Sequence, residues 1–441
     1  MVFIKTGCKR SFGFEQVFDA RLKTDRHSQF LLQCPGPGYL REVFRPCFFW
    51  GEAIVWQRMA LELFRQAEAR LSRRALRHNL SLIRSRLKES TGLHRARTEI
   101  MAVVKADAYG HSIREFLPEL LKNGIRSICV ASVEEGVLAR RLNSKVEILV
   151  LGGSFRWPAS LIHCLKENRL SLAVSDIASL RSLLRVKEIP IHLKLDTGMN
   201  RLGVKEDEWG LALELVRQSN RSLEGFMTHY ASAQGSSFQR QVSRFEAALR
   251  AFIEAGLCPK KIHSENSAAL FSRERLKKGL LSEKANLCRP GLSIYGYLSP
   301  PYERFEPGLR PVLSLVARLG LKKRLKKGEA VSYEGLYRAP YDHDIFVFPI
   351  GYADGIAKSY APLLRPRILR AEGRKEKEAL RLCGAICMDM IVLRDPAQQQ
   401  RRVEWVEFWG SDRSNLVSKK LVSPYELNLR IASRIPRLWV N

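Results

Sequence analysis

Between residues 100 and 290 the chain alternates short runs of strand-like composition with stretches of helical apolar spacing. The strand-like runs are 101–105, 127–131, 147–151, 170–174, 189–195, 225–229, 261–263 and 286–289, and helical stretches such as 134–143, 208–219 and 239–255 fall between them. Strand–helix repetition of this kind requires a parallel sheet with crossover helices, either a closed barrel or an open doubly wound sheet. The repeat count alone does not separate the two. The polar residues do: Lys105, Asp196, His229, Asn266 and Arg289 all sit at or just after the end of a run, where the active face of a barrel lies. After about residue 306 the alternation stops. The runs 312–319, 344–349, 367–369, 385–388 and 403–409, separated by turns, predict an all-β domain. The expected fold is α/β: a (β/α)8 TIM-type barrel over 59–305, followed by a C-terminal all-β domain over 306–441.

Residues 1–58 stand apart, with no sustained period and a break at Cys34-Pro35-Gly36-Pro37-Gly38. They are expected to be an extension of unknown role, or upstream sequence ahead of a start at Met59, with a small added module as the alternative. Met59 opens an amphipathic stretch that runs through Ala75-Leu76-Arg77-His78-Asn79-Leu80.

The 441 residues carry 74 Lys and Arg against 45 Asp and Glu, a formal charge of +29. These cations are spread along the chain. Runs such as Lys322-Lys323-Arg324-Leu325-Lys326-Lys327 lack interleaved aromatics, so a solvated basic surface is favoured over a nucleic-acid interface. Such a field still draws anions, a phosphate-bearing cofactor among them. The nine cysteines lack metal-ligand spacing; Cys383 and Cys387 have no second pair or His cluster, so no metal site is expected. Reduced thiols, the lack of an apolar signal region and the lack of a membrane-length run predict a cytoplasmic protein.

The stretch Val103-Val104-Lys105-Ala106-Asp107-Ala108-Tyr109-Gly110-His111-Ser112 concentrates the chemistry. A lysine ending a buried strand is costly unless its charge or its nitrogen is used. Taken alone it reads as a snorkelling side chain. Desolvated and unprotonated, its amine forms a Schiff base, the usual anchor of pyridoxal phosphate. Further stretches follow in order: Lys194-Leu195-Asp196-Thr197-Gly198-Met199-Asn200-Arg201-Leu202-Gly203; Thr228-His229-Tyr230-Ala231; His263-Ser264-Glu265-Asn266-Ser267-Ala268-Ala269; Arg289-Pro290-Gly291; Val331-Ser332-Tyr333; Pro349-Ile350-Gly351-Tyr352-Ala353-Asp354-Gly355; Ile386-Cys387-Met388-Asp389; and Ser423-Pro424-Tyr425-Glu426. From about residue 68 to the C-terminus the chain resembles the alanine racemases.

The resemblance implies a pyridoxal-phosphate-dependent isomerase that interconverts L- and D-alanine, with D-alanine supplied to the bacterial cell wall. Two groups on opposite faces of the α-carbon suffice for such a reaction. Lys105 is implied as one and Tyr333 as the other, with Lys105 also carrying the cofactor. Tyrosine ordinarily titrates near about pH 10, so it needs cationic or hydrogen-bonding neighbours to act as a base; His229 and Arg289 match the family pair that supplies them. Tyr109, Ser267, Tyr425 and the backbone N–H groups of Gly291 and Leu292 are implied at the phosphate, with Asn266 in the same turn. Arg201 is implied at the phenolic oxygen and Lys194 as a carbamylated lysine that holds Arg201. Arg289 is implied at the pyridine nitrogen, where an arginine donates a hydrogen bond without giving up its proton. Arg201, Tyr352, Met388 and Asp389 are implied at the substrate, Met388 through its backbone N–H. Tyr333, Tyr352, Met388 and Asp389 would act across a homodimer with shared sites. Alternatives on the same scaffold are a broader amino-acid racemase, a related decarboxylase and a non-catalytic cofactor carrier. The chain departs from the family at Glu334 and Ser112, which stand where glycine is usual, and Asn200 falls at a variable position.

Overall fold

The structure is a computed structural model. It describes residues 66–441 apart from 90–97, 153–155, 273, 275, 277–278, 300–307, 371–374, 400 and 411–421. The expected extension 1–58 and the start at Met59 lie outside the described residues.

The strand-like runs form one parallel sheet. Its members are β2 (Glu99–Val103), β3 (Ser127–Val130), β4 (Glu147–Val150), β5 (Ser171–Val174), β6 (Ile191–Lys194), β7 (Gly225–Met227), β8 (Lys261–His263) and β9 (Leu287–Cys288). They lie in the order β8-β7-β6-β5-β4-β3-β2-β9, so the last strand pairs with the first. The seam between β8 and β9 is held by single contacts rather than a ladder: Asn286 N–H donates to Ile262 O at 3.2 Å and Arg289 N–H to Glu265 O at 2.9 Å. The sheet is therefore a nearly closed barrel.

Period-two alternation sorts the side chains into two cores. Ala102, Ile128, Val130, Ile148, Val150, Leu172, Ile191, Leu193 and Phe226 face outward onto the helices. Met101, Val103, Cys129, Leu149, Ala173, Met227 and Leu287 fill the lumen. The same alternation turns His192 and Lys194 of β6 inward, where both are buried. The lumen is thus largely apolar, with a polar patch at His192 and Lys194 of β6 and His263 of β8.

The second body is built from β10 (Leu313–Arg318), β11 (Leu321–Leu325), β12 (Ala330–Val331), β13 (Tyr337–Arg338), β14 (His343–Phe348), β15 (Arg367–Leu369), β16 (Lys375–Ala379), β17 (Arg381–Leu382), β18 (Ile391–Arg394), β19 (Trp405–Trp409) and β20 (Arg437–Val440). They form a six-stranded sheet, a four-stranded sheet of order β11-β14-β18-β17 and a β12-β13 hairpin. The six-stranded sheet includes β1 (Ala67–Ser72), antiparallel to β10 and parallel to β20.

From residue 66 on, the amphipathic stretch divides into a strand and a helix: Ala67, Ala69 and Leu71 are buried in strict alternation, and the helix Arg73–Glu89 follows. The β-domain also takes a strand from the far side of the barrel, so the barrel does not own all of 59–305. The run 385–388 is a turn rather than a strand, closed by Cys387 N–H donating to Met390 O at 3.0 Å.

Candidate active site

A cavity of about 410 Å³ opens at the C-terminal ends of the barrel strands. Lys105, Tyr109, Lys194, Arg201, His229, Asn266, Ser267, Arg289, Gly291 and Leu292 all line it. Four of these are cationic and none of the lining residues is acidic, so the cavity is built for an anion.

Lys105 stands two residues past β2 and opens a left-handed turn. Ala106, Asp107, Ala108 and Tyr109 all have φ between 52° and 55°. Four consecutive left-handed non-glycine residues are costly and persist only when the surroundings hold them. Asp107 Oδ1 accepts from Ile113 N–H at 2.7 Å, and Arg437 Nε donates to Gly110 O at 3.2 Å. Gly110 is required there: a Cβ would lie 2.3 Å from Asn428 O, on the helix Pro424–Arg430 that also carries Tyr425. Tyr425 lies close enough to add to the rise in the Tyr109 pKa, which burial dominates.

The segment Lys194–Gly203 is a loop folded around one carboxylate. Asp196 Oδ1 accepts from Gly198, Met199 and Asn200 N–H at 2.9, 2.9 and 3.1 Å. Asp196 N–H donates to Val204 O and Val204 N–H to Lys194 O, each at 2.9 Å. Gly203, at φ 136°, lets the loop close: a Cβ would stand 2.5 Å from Asp196 N. This loop, closed by a parallel bridge between Leu195 and Val204, sets Arg201 at the cavity beside Lys194. Burial, with the charges of Arg289 and Arg201, lowers the Lys194 pKa to about 8, against a pull upward from Asp196.

Arg289 is buried at the lumen top. Its Nη1 donates to His263 O at 2.8 Å and meets His263 Nδ1; its Nη2 donates to Thr228 O at 2.5 Å and Ser264 O at 3.3 Å. His263 Nε2 in turn meets His192 Nδ1 at 2.8 Å. Burial and the Arg289 charge hold His263 well below its usual pKa. His229 is held neutral as well, at about 3, by burial and then by Arg289, Lys194, Arg201 and Lys105. Asn266 Nδ2 faces His229 Nε2 at 3.4 Å and Tyr230 O at 3.2 Å, while its Oδ1 caps the following turn at Ala269 N–H. The asparagine thereby orients the histidine.

Donors converge next to it. Gly291 N–H, Ser293 N–H and the Ser293 hydroxyl lie 2.9, 3.1 and 3.0 Å from Ser267 Oγ. A Cβ on Gly291 would meet the Tyr109 hydroxyl at 2.9 Å, so glycine clears a cradle for that hydroxyl. Backbone N–H groups and hydroxyls around a cationic cavity are the donor set a phosphate ester takes. The residues present fit pyridoxal phosphate.

The family models for the alanine racemase N-terminal and C-terminal domains match residues 71–299 and 312–439. The chain belongs to the alanine racemase family. It is 34% identical over 331 residues to the alanine racemase of Geobacter sp. (strain M21), covering 72% of this chain and 82% of that protein. The alanine racemase of Listeria innocua is 31% identical over 388 residues, covering 84% and 97%. Among solved structures, alanine racemase from Clostridium difficile 630 superposes with a TM-score of 0.72 at 26% identity, covering 86% of this chain and 96% of that one. The family member from Streptomyces coelicolor A3(2) gives 0.70 at 26% identity, covering 85% and 98%.

Tyr333, Tyr352, Met388 and Asp389 do not line the barrel-mouth cavity. The β-domain of this alanine racemase family chain gathers them elsewhere. Tyr352 N–H donates to Cys387 O and Ala353 N–H to Met388 O, each at 3.0 Å. Ser332 Oγ lies 3.2 Å from Cys387 Sγ, which sets the Tyr333 turn beside the same segment. Arg434 bridges buried Asp354 at 2.8 Å and Asp389 at 2.6 Å. Tyr333 is 74% exposed and Met388 54%. The two departures from the family share one backbone property: Ser112 has φ 66° and Glu334 φ 59°. Glycine is usual there because the chain turns left-handed.

Sequence reasoning missed His192, Glu135 and Arg434. The first two carried signals: His192 alternates with Lys194 on one strand, and Ser132 precedes Glu135 at capping-box spacing. Arg434 had none, because its partners lie 45 and 80 residues away in sequence.

Proposed function

We infer that this chain is a pyridoxal-phosphate-dependent alanine racemase, and that it supplies D-alanine for peptidoglycan. The observation that carries the reading is the cationic cavity at the barrel mouth, with Lys105 at its edge and a convergent donor cradle around Ser267. When bound, pyridoxal phosphate supplies the electron sink that makes the α-proton of alanine removable. Lys105 would hold it covalently through Nζ. Tyr109, Ser267, Tyr425 and the N–H groups of Gly291 and Leu292 would hold the phosphate, and Arg201 and His229 would bound the ring. Arg289 would donate to the ring nitrogen while keeping its own proton, which would leave that nitrogen unprotonated.

Lys105 Nζ takes or returns the α-proton on one face, and the Tyr333 hydroxyl does so on the other. Because Tyr333 is exposed and lies off this chain's cavity, Tyr333, Tyr352, Met388 and Asp389 act at the site of a second copy, in a homodimer with shared sites. Met388 N–H receives the substrate carboxylate with Asp389 and Tyr352 beside it, and Arg201 faces it from the barrel. Lys194, held near pH 8, keeps a neutral fraction that attacks carbon dioxide. Its nitrogen forms the bond to carbon and loses a proton, and the resulting carbamate pairs with Arg201. Among the described residues no helix is long and apolar enough to cross a membrane, and the described cysteines are free. Free thiols fit a cytoplasmic site of action.

A racemisation assay on a panel of L-amino acids, with and without added cofactor, tests the reading. Alanine should turn over fastest, and borohydride should fix the cofactor on Lys105. Fixation on another lysine, or no racemisation of alanine by cofactor-loaded protein, would overturn it.

A further inference from the structure

The left-handed turn that presents Lys105 is anchored from an unexpected direction. The helix Val133–Leu142 starts with the capping-box pattern Ser132-Val133-Glu134-Glu135. In that motif the third helical residue normally reaches back to the N-cap's own N–H. Glu135 does something else. Its Oε2 accepts from Ala131 N–H at 2.7 Å, one residue ahead of the cap, at the end of β3. Its Oε1 crosses to the neighbouring strand end and accepts from Ala106 N–H, also at 2.7 Å. Ala106 directly follows Lys105 and is the first left-handed residue of the turn. No helical or sheet ladder can take the Ala106 N–H, because the chain has left β2 and turned the wrong way for a right-handed helix.

We propose that Glu135 is a positioning residue for Lys105: its carboxylate ties Ala106 N–H to Ala131 N–H, and so sets where the lysine leaves the barrel rim. Charge-assisted hydrogen bonds to a carboxylate are among the stronger ones, and two of equal length on one group leave it little freedom. The far end of the turn is held independently, by Arg437 donating to Gly110 O. Lys105 thus leaves a turn clamped at both ends, and Glu135 is the clamp nearer the nitrogen. The role rests on Lys105 being the cofactor lysine.

Glu135→Gln keeps the side chain's shape but offers one acceptor and one donor, so it can serve only one of the two N–H groups. Glu135→Asp is shorter and cannot span both. Ser132→Ala removes the cap of the same helix without touching the turn and is the control for helix stability. In the cofactor-loaded protein, Glu135→Gln should shift the pH titration of the bound cofactor's visible absorbance and speed its loss on dialysis. It should also lower kcat about 10-fold with KM for alanine little changed, since a small misplacement of a reacting group acts on the chemical step. Hydrogen exchange over residues 104–110 of the cofactor-free protein should quicken. Glu135→Asp should follow in the same direction, while Ser132→Ala should lower Tm alone. If Glu135→Gln lowers Tm like Ser132→Ala but keeps wild-type absorbance, kcat and exchange, the carboxylate only caps its helix and the proposal falls. Borohydride labelling of the wild type separates the other failure: label absent from Lys105 overturns the assignment of that lysine and this role with it.

Discussion

Lys194 is the residue whose surroundings make the sharpest prediction. Its amine is buried and the cations around it outweigh Asp196, so the folded state holds its pKa at about 8 against an ordinary value of 10.5. Between those values the unfolded chain binds more protons than the folded one, so stability rises as pH rises from about 8 to about 10.5. The contribution is on the order of 3 kcal/mol. Urea unfolding of cofactor-free protein in carbon-dioxide-free buffer should show this rise, and Lys194→Met should flatten it. Equal slopes for the two proteins would show that the lysine is not destabilised as a cation. His229 is neutral for the same reason, and its orientation by Asn266 rather than by a carboxylate keeps it so.

Among the elements, turns rather than strands concentrate the constraint. The positive-φ positions at Gly110, Gly198 and Gly203 carry glycine, whereas Ser112 and Glu334 do not. A non-glycine residue held in such a region costs on the order of 1–3 kcal/mol. Glycine gives part of this back through the freedom it adds to the unfolded chain. Ser112→Gly and Glu334→Gly should therefore raise stability by about 1 kcal/mol each. The denaturation midpoint reports it, and a fall in stability for either would show that the side chain makes contacts that outweigh the strain. Gly203→Ala should act in the opposite direction. Its Cβ would meet backbone on Asp196 and Leu195, which cannot move without opening the Arg201 loop. Loss of both stability and cofactor retention is expected.

At the level of the whole molecule, the two groups proposed to act on the α-carbon sit on two bodies: Lys105 on the barrel rim and Tyr333 on an exposed turn of the β-domain. If the two groups meet across a dimer, mixing inactive Lys105→Ala and Tyr333→Phe chains should restore part of the activity, because a mixed dimer keeps one intact site. No recovery after proven subunit exchange would count against sharing. The position of β1 makes a second prediction. Beginning the chain at Met59 keeps β1, so folding and activity should survive. Beginning it at Arg73 removes a strand that lies between β10 and β20 in the six-stranded sheet, along with the buried Ala67, Ala69 and Leu71. That form should be insoluble or fail to unfold cooperatively. A soluble, active chain starting at Arg73 would mean the sheet closes without its inner strand.

The barrel was legible in the sequence because its signal is local. Period-two runs, helical spacing between them and polar residues at run ends all lie within a few residues of one another, and 261–263 was placed to the residue, as was 367–369 in the β-domain. The site on the barrel rim was legible for a related reason: Lys105, Arg201, His229, Ser267 and Arg289 each sit in a contiguous motif, and the parallel sheet brings equivalent strand ends to one face. What the tertiary structure alone decided were matters of long-range pairing. β1 reads as part of an amphipathic stretch, and only its pairing with β10 and β20, some 240 and 370 residues on, makes it a strand. Glu135 reads as a capping residue, and only the adjacency of β2 and β3 turns its carboxylate onto Ala106. The inward alternation of His192 beneath Arg289, and the bridge of Arg434 to Asp354 and Asp389, follow from which strands and turns become neighbours. Local spacing carries a residue's chemistry and periodicity; which distant group satisfies its hydrogen bonds and charge is settled only when the chain closes on itself.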